Sequence, residues 1–476
     1  MEGTVFDVDV LIAGGGPAGC AAAAALADVG LSVWIADAGL DRQKQLAGEL
    51  LHPAGVEDVR ALGLGGVLDG AHAQQVLGFA VIDSHAASSR TALLPYGGGD
   101  RGLAFEHAAF TQPLLGALER RTGVTVLRRA RVTEIRRNDA EAVEAVLSHE
   151  GALRTIRARM LVAADGRASP VRKLLGISER HERMSTMIGV TVPAEALSHP
   201  GHGHIFIGGP APVLGYTIAP GVARVMVDLP LGSGPRRPLE EPEILAGVPS
   251  LLRGEILAAI EREAPRVASN DTRLPGALTS GRAVLIGDAA GCCHPLSASG
   301  ISSCTRDARA LQTAVREWPG DIPAALQLYA RQRRPAQRTR IALASALYRA
   351  FAGTGGDMQA LRAGLFRYWQ RGRGGAQTSM SLLSSRESRM WVMAREYARV
   401  VGHGVVSLAG EAARRRGRNL VSITGAASGL VASAWPHLED VVRGQLQDRR
   451  VALPVRAYAP PSRGAGSSGQ TGPSGA

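Results

Sequence analysis

Cysteines and metal-ligand patterns are scarce in this chain. Its 476 residues include four cysteines, at positions 20, 292, 293 and 304. Four are too few for a disulfide framework at this length, and no cysteine and histidine spacing matches a zinc site. We therefore expect no bound metal and a reducing, cytoplasmic location. The hydrophobic share of 45% excludes disorder of the whole chain.

Long apolar runs are also missing. The N-terminus lacks the basic segment of a signal peptide, and glycines and a proline interrupt the run over residues 8–27. Prolines break the run over 205–223, while serine, threonine and glycine dilute the run over 419–435. Neither supplies the roughly 20 strongly apolar residues of a membrane span. The sequence therefore predicts no transmembrane helix.

Lysine is almost absent, so the 54 basic residues are nearly all arginine and, with 42 acidic residues, give a net charge of +12. Residues 331–450 contain 21 arginines and 7 acidic residues, a net of +14, which leaves the rest of the chain slightly acidic. Such a local charge attracts nucleic acid or anionic lipid headgroups, or belongs to a solvated helical face.

The chain alternates between two sheet patterns before it becomes helical. Residues 8–36 have the pattern of a β-α-β unit, and alternating apolar and polar residues within 78–94 and 205–229 predict a second, partly antiparallel sheet. From residue 322 onward the pattern is helical. The predicted fold class is α/β: a Rossmann-type domain, an interleaved domain with a mixed or antiparallel sheet, and a helical C-terminal region.

A glycine motif follows the first strand and opens the first helix. Gly14, Gly16, Pro17, Ala18 and Gly19 fit G-x-G-x-x-G, in which the glycines let the backbone approach a pyrophosphate at the helix N-terminus. Asp37 ends the next strand, where an acid accepts hydrogen bonds from a ribose hydroxyl. The combination predicts a dinucleotide site but does not separate NAD from FAD.

Two later motifs separate these cofactors. Residues 161–172 read LVAADGRASPVR, and residues 283–300 read AVLIGDAAGCCHPLSASG. With the glycine motif, they resemble the three fingerprints of FAD-dependent monooxygenases of the aromatic-hydroxylase fold. The resemblance implies that Asp288 binds the ribityl chain of FAD and that the loop from Pro295 to Gly300 directs backbone N–H groups to the flavin. A helix N-terminus there stabilises negative charge on reduced flavin.

Residues 41–83 and 201–230 resemble the squalene monooxygenase (squalene epoxidase) branch of that family more than the phenol hydroxylases, and the resemblance covers about residues 8–345. Gly48-Glu49-Leu50 is among its specific segments. The chain departs from the branch in three ways. Ser297-Ala298-Ser299 replaces a glycine-rich loop, and Phe79 stands where the family has a tyrosine. One FAD-contacting arginine of the family falls near Gln45 or is displaced to Arg42 by an insertion, and a second falls at Ala109.

These motifs and the resemblance together nominate the site residues. The cofactor-binding candidates are Gly14, Gly16, Pro17, Ala18, Gly19, Asp37, Arg42, Gln112, Val132, Asp165, Gly287, Asp288, Pro295, Gly300 and Ile301, and the substrate-lining candidates are Phe79, Phe206, Tyr216 and His294. No catalytic acid or base and no metal ligand is nominated.

Several candidates have a second interpretation. His294 is a candidate donor to the flavin hydroperoxide, or caps a helix. The three aromatic residues line an apolar channel or pack in the core. Glu49 lies near the flavin or on a surface helix. Cys292 and Cys293 attach the flavin, sense its redox state or, more simply, pack beneath it.

The sequence patterns and the resemblance together predict the domain order. Residues 1–75, 101–180 and 276–325 are assigned to FAD binding, 76–100 and 181–275 to a substrate domain, and 326–455 to a basic helical region with membrane contact. The Pro/Gly/Ser-rich composition predicts that residues 456–476 form a disordered tail.

The implied reaction uses NADPH or NADH and dioxygen to epoxidise or hydroxylate a lipophilic isoprenoid or prenylated aromatic substrate through a flavin hydroperoxide, so that the cofactor supplies the oxidising chemistry. The alternative is a geranylgeranyl-reductase-like flavoprotein that hydrogenates prenyl chains. The residues do not choose between squalene, another polyprenyl chain and a prenylated aromatic compound.

The basic C-terminal quarter lacks any nucleic-acid-binding signature and has few aromatic residues for base stacking, so we expect no nucleic-acid partner. We expect instead a peripheral contact with the inner face of the membrane. It would use the apolar stripes of the C-terminal helices and the uncharged segment 419–435 beside the arginines of 414–418. The stripe residues are Leu343, Leu347, Phe351, Leu361, Phe366 and Trp369.

Overall fold

The computed structural model describes residues 6–39, 46–84, 89–210, 212–353, 355–371 and 374–414, with side chains as far as residue 407. The strands are β1 (Val8–Ala13), β2 (Val33–Asp37), β3 (Leu50–Leu51), β4 (Gln74–Val76), β5 (Gly78–Asp83), β6 (Arg90–Pro95), β7 (Gly102–Ala104), β8 (Val124–Arg128), β9 (Ala130–Asn138), β10 (Val143–His149), β11 (Ala152–Ala163), β12 (Glu179–Pro193), β13 (His202–Ile207), β14 (Val213–Ala219), β15 (Val222–Leu229), β16 (Arg266–Pro275), β17 (Thr279–Ser280) and β18 (Ala283–Leu285). The helices are α1 (Pro17–Ala27), α2 (Pro53–Ala61), α3 (Gly65–Gly70), α4 (His107–Glu119), α5 (Pro170–Leu174), α6 (Arg237–Glu240), α7 (Ser250–Arg262), α8 (Gly300–Glu317), α9 (Ile322–Ala352), α10 (Gly356–Arg371), α11 (Gly375–Leu383) and α12 (Met390–Arg414).

The first sheet contains the dinucleotide motif. Its strand order is β17-β18-β11-β1-β2-β8, with β10 and β9 attached to β11. Strands β18, β11, β1, β2 and β8 run parallel, so their carboxyl ends meet at one edge. Helix α1 is buried along nearly its whole length, and its run of alanines, 21–25, permits close packing against α8. The β-α-β prediction is confirmed.

The second sheet has the order β16-β12-β15-β14-β13-β5-β6 and is antiparallel except between β13 and β5. One face packs against α7 through residues such as Leu252 and Ile256. The opposite face belongs to an apolar cluster shared with the C-terminal helices. A third sheet, β3-β7-β4, has three strands. The predicted α/β class, with a second mixed sheet and a helical C-terminal region, is confirmed.

The C-terminal helices differ from the sequence-based expectation in the direction of their apolar stripes. Phe351, Leu361, Phe366 and Trp369 are buried in the cluster on the second sheet, with Leu343 and Leu347 packed against it. The prediction that this stripe lies among lipid headgroups is wrong, because its side chains form part of the protein core. Segment 419–435 and most of the arginines of 414–418 lie outside the described residues. None of the described helices is long and apolar enough to cross a bilayer.

Glycine determines how closely α10 and α12 approach. A Cβ atom built on Gly364 would lie 2.6 Å from the Val400 carbonyl oxygen, whereas one built on Gly402 of α12 would meet nothing within 4 Å. We predict that Gly364→Ala lowers the free energy of unfolding by about 1–3 kcal/mol through overpacking. Gly402→Ala should raise it by about 0.5–1 kcal/mol, because alanine favours the helix. Urea unfolding of the two variants measures both changes, and equal effects would contradict the packing argument.

Candidate active site

The glycine motif lies at the carboxyl edge of the first sheet, where neighbouring backbones nearly touch. Gly14 has φ +106°, and a Cβ atom there would lie 2.4 Å from the Ala164 carbonyl oxygen. A Cβ on Gly19 would lie 1.8 Å from the Gly14 carbonyl oxygen. Gly16, by contrast, faces open space and precedes the N-terminus of α1, which has no side-chain cap. The turn therefore leaves room and free N–H groups for a phosphate.

Asp37 lies beside this turn because β2 is the parallel neighbour of β1. Its carboxylate is buried, and a Cβ on Gly15 would lie 3.0 Å from the Asp37 Cβ atom. The predicted phosphate-binding turn and the predicted ribose-binding acid are thus adjacent.

The third motif reaches the same edge through β18, the neighbour of β11. Gly287 has φ +60°, and a Cβ there would lie 2.6 Å from the Ala18 Cβ, so the first and third motifs touch. The Gly287 N–H donates to Asp307 Oδ2 at 2.8 Å, and Arg333 neutralises that buried carboxylate at 2.7 Å. These bonds position Asp288, the next residue, at the wall of the cleft.

The second motif supports the third. Asp165 accepts hydrogen bonds from the Ser169 hydroxyl at 2.5 Å and the Val171 N–H at 2.8 Å, while its burial raises the pKa of its carboxyl group. The buried Arg172 donates to the Ala289 carbonyl oxygen at 3.0 Å. The Asp165 carboxylate therefore organises the local turn, which in turn holds the segment after Asp288.

A cleft lies between the second sheet and the loop from Pro295 to Gly300, which we call the flavin-type loop. The cleft is partly open, and its volume is about 820 Å³ when the solvent at its mouth is included. Of the predicted residues, it brings together Asp288, Pro295, Gly300, Tyr216 and His294. Its apolar wall is formed by Leu46, Leu50, Met187, Tyr216, Met226 and Ala268.

The cleft fits a flavin at its loop side. Helix α8 begins at Gly300 without a side-chain cap, and a Cβ on Gly300 would meet nothing within 4 Å. Unpaired N–H groups and open space are therefore available there, as the pyrimidine edge of a flavin requires. Ala298, which replaces a glycine of the family pattern, adopts φ +47°.

The remaining predicted cofactor residues are spread more widely. Ile301 is buried in the first turn of α8 and packs near Gly48. Gln112 is exposed on α4 and Val132 is buried in β9, and neither lines the cleft. Arg42 lies outside the described residues.

Phe206 does not belong to the cleft. Its side chain joins the cluster that packs under α7, on the face of the second sheet opposite to Tyr216. Alternate side chains of a strand point to opposite faces of the sheet, which directs Phe206 away from the cleft. Phe206 is therefore a core residue, as the second interpretation had it. Phe79 is also absent from the lining of the cleft: it is buried in the apolar cluster that contains Tyr216, with its ring centroid 6.1 Å from that of His52.

Both ring nitrogens of His294 face protein partners. The Leu296 N–H donates to Nδ1 at 3.4 Å, and Nε2 lies 3.4 Å from Asp228 Oδ1. The Tyr348 ring lies against the imidazole at an interplanar angle of 31°, with centroids 4.4 Å apart. His294 thus caps the short helix that starts the flavin-type loop and connects that loop to β15, which agrees with the capping interpretation.

Cys292 and Cys293 also line the cleft as free thiols. Burial raises the pKa of Cys292 to about 12, so this thiol stays protonated and is a poor nucleophile. The packing interpretation agrees with this state better than covalent attachment does.

Two sets of buried hydrogen bonds near the cleft were not predicted from the sequence. Glu49 accepts two hydrogen bonds from Arg224, at 3.0 and 3.1 Å, with both side chains almost fully buried. The surface-helix interpretation of Glu49 is therefore wrong. Isolated polar residues in apolar stretches were the signal: Arg224 interrupts the hydrophobic strand β15.

The second missed connection is His52. Its Nε2 lies 2.8 Å from the Ser297 carbonyl oxygen, and its Nδ1 lies 2.7 Å from the Tyr96 hydroxyl. Since a carbonyl only accepts, Nε2 carries the proton and Nδ1 accepts from Tyr96. His52 thereby holds the backbone of the flavin-type loop at Ser297 and connects it to Tyr96.

Burial lowers the pKa of His52 from 6.5 to about 4. The unfolded chain takes up this proton as the pH falls below 6.5, whereas the folded protein does not until about pH 4. We therefore predict that His52 costs the protein up to about 3 kcal/mol of stability as the pH falls through this range. Urea unfolding between pH 7 and pH 4.5 should show a smaller loss for His52→Gln than for the unsubstituted chain. An equal loss would contradict the assignment.

Comparison with known proteins agrees with this geometry. A family model described as an FAD binding domain matches residues 7–342. The chain is 27% identical to squalene epoxidase erg1 of Schizosaccharomyces pombe over 386 residues, which is 77% of this chain and 83% of that one. It is 27% identical to the squalene monooxygenase of Mus musculus over 406 residues, 83% of this chain and 70% of that one.

Among solved structures, p-nitrophenol 4-monooxygenase PnpA of Pseudomonas putida superposes with a TM-score of 0.67 at 18% identity, covering 80% of this chain and 99% of that one. At that identity the likeness shows the fold. The predicted FAD cofactor and the predicted resemblance are confirmed. The chain belongs to the FAD binding domain family, as an FAD-dependent monooxygenase whose relatives include squalene epoxidases.

Proposed function

We propose that the protein uses NADPH or NADH and dioxygen to epoxidise or hydroxylate a lipophilic isoprenoid or prenylated aromatic substrate. The observation that carries the proposal is the apolar wall of the cleft. Leu46, Met187, Tyr216 and Met226 belong to one continuous apolar cluster that extends from the flavin-type loop into α9 and α10. Such a surface favours a hydrocarbon chain, because burial of apolar area is the main source of its binding energy.

FAD, when bound, supplies the oxidising chemistry, so the protein's residues bind, orient and exclude water. The side chains of Met187 and Met226 are flexible, so this wall can adjust to the shape of an irregular hydrocarbon substrate. The Tyr216 hydroxyl lies 3.9 Å from the Met226 sulfur, and burial raises the pKa of Tyr216, which keeps the phenol neutral. The apolar part of the wall, including the neutral phenol of Tyr216, therefore adds no charge of its own to the cleft.

The proposed placement of FAD follows the three motifs. The pyrophosphate lies on the turn at Gly14, Gly16 and Gly19, and the ribose on Asp37. Asp288, Pro295 and Gly300 take the ribityl chain and the flavin ring. We also propose that the two large sheets mark the FAD-binding and substrate domains.

We also propose peripheral contact with the membrane, although the apolar stripe of α9 and α10 cannot provide it because its side chains are buried. On α12, Trp391 is half-exposed between two guanidinium groups, with Arg389 5.2 Å and Arg395 5.3 Å from its ring centroid. An aromatic ring flanked by arginines suits the headgroup region of the inner leaflet, from which a lipophilic substrate would enter.

Labelled dioxygen tests the proposed reaction. Purified protein with FAD, NADPH or NADH, and squalene should incorporate ¹⁸O from ¹⁸O₂ into the product, as seen by mass spectrometry. A panel of prenylated quinolines and indoles extends the test to the other substrate class. Substrate turnover that continues without dioxygen, giving a product two hydrogens heavier and free of label, would instead indicate a prenyl-chain reductase.

Gly16 tests the placement of the pyrophosphate. A Cβ on Gly16 meets no protein atom within 4 Å but would stand where the phosphate approaches. We predict that Gly16→Ala leaves the thermal stability of the FAD-free protein nearly unchanged and weakens FAD binding by about tenfold or more. Gly66→Ala on α3 is the matched control, since its Cβ also meets open space. Equal FAD affinity of the two variants, measured by fluorescence titration, would refute the placement.

A further inference from the structure

Arg340 of α9 is a buried cation in the wall of the cleft. Its side chain is 7% exposed, and it lines the cleft together with Asp288, Cys292, Cys293 and Pro295. One guanidinium nitrogen, Nη2, donates to the Gly291 carbonyl oxygen at 2.7 Å. The Nε atom is buried without a hydrogen-bond partner.

No carboxylate among the described residues forms an ion pair with Arg340. The acids that influence it most are Asp288 and Asp307. Asp307 is paired with Arg333 at 2.7 Å, and Asp288 lies 3.7 Å from Arg167. The two neighbouring cysteines are protonated thiols and carry no charge. Arg340 therefore has no carboxylate partner of its own among the described residues, and Asp288 and Asp307 favour its charge only from beyond ion-pair distance.

A buried guanidinium without a counterion is unfavourable, and one with an unpaired N–H more so. Such a group persists where a ligand supplies the missing negative charge. Arg340 binds the segment that leads from Gly291 into the flavin-type loop, which is the loop assigned to the flavin.

We propose that Arg340 is the cation that stabilises the negative charge of reduced flavin in this cleft. The inference rests on the proposed placement of the flavin. Transfer of one hydride, which carries two electrons, from the nicotinamide nucleotide to FAD leaves one negative charge on the ring system. A fixed positive charge nearby favours this reduced form over the neutral oxidised form. Arg340 thus adds to the field of the α8 N-terminus.

The midpoint potential of bound FAD measures this effect without turnover. In Arg340→Met, the ratio of affinities for reduced and oxidised FAD should fall by about tenfold or more. For a two-electron couple this corresponds to a potential more negative by about 30 mV. Arg340→Lys retains the charge and should stay close to the unsubstituted protein.

Arg362 provides the matched control. It is also a buried arginine that donates to backbone carbonyl oxygens, those of Ala350 at 2.8 Å and Gly353 at 2.6 Å, and it does not line the cleft. Arg362→Met should leave the potential unchanged even if it lowers stability, which circular dichroism of the FAD-free protein reports for each variant.

An unchanged potential in folded, FAD-loaded Arg340→Met overturns the proposal. In that case the negative charge that Arg340 binds could belong to the substrate instead of the flavin. Laurate, a hydrocarbon chain with a carboxylate, tests this: weaker laurate binding by Arg340→Met would assign Arg340 to an anionic group of the substrate. Failure of the proposed function is a separate outcome, since it appears as absence of ¹⁸O in the product of the unsubstituted protein.

Discussion

The close approach of three backbones at the carboxyl edge of the parallel sheet is the constraint on which the site depends. Gly14 lies against the end of β11, Gly19 against Gly14, and Gly287 against the first turn of α1. A side chain at any of these positions would push the strands or helices apart. Because the three segments are far apart in the chain, this contact also brings the parts of the first sheet together around the segments that form the second sheet.

Buried polar bonds connect that edge to the second sheet. Glu49 and Arg224 form an ion pair with almost no exposure, and the pair joins the segment before β3 to β15. His294 and Asp228 connect the flavin-type loop to the same strand. Removal of either partner of such a pair would leave an unsatisfied group in a medium of low dielectric constant. These bonds therefore specify the relative position of the loop and the apolar wall.

The C-terminal helices pack on one face of the second sheet, and α9 contributes Arg340 to the cleft. Apolar residues of α9 and α10 share a cluster with β5, β14 and β15, so these helices cover the second sheet. The arginines of the C-terminal helices have different partners. Arg333 neutralises Asp307, Arg362 donates to backbone carbonyl oxygens, and Arg340 lines the cleft. The net charge of the region thus includes buried structural cations, and only part of it is a surface property.

The sequence alone determined the fold class and the β-α-β unit, because glycine motifs and hydrophobic periodicity depend only on neighbouring residues. The FAD cofactor followed from the resemblance of three sequence motifs to a known family. It also nominated residues that line the cleft, such as Asp288 and Tyr216. Only the tertiary structure decided that Phe206 faces α7, that Glu49 pairs with Arg224, and that the stripe from Leu343 to Trp369 is core. The physical reason is that hydrophobic periodicity shows that a helix or strand has an apolar face but not what packs against that face. Likewise, the counterion of a buried charge can lie far away in the sequence, as Arg224 does from Glu49.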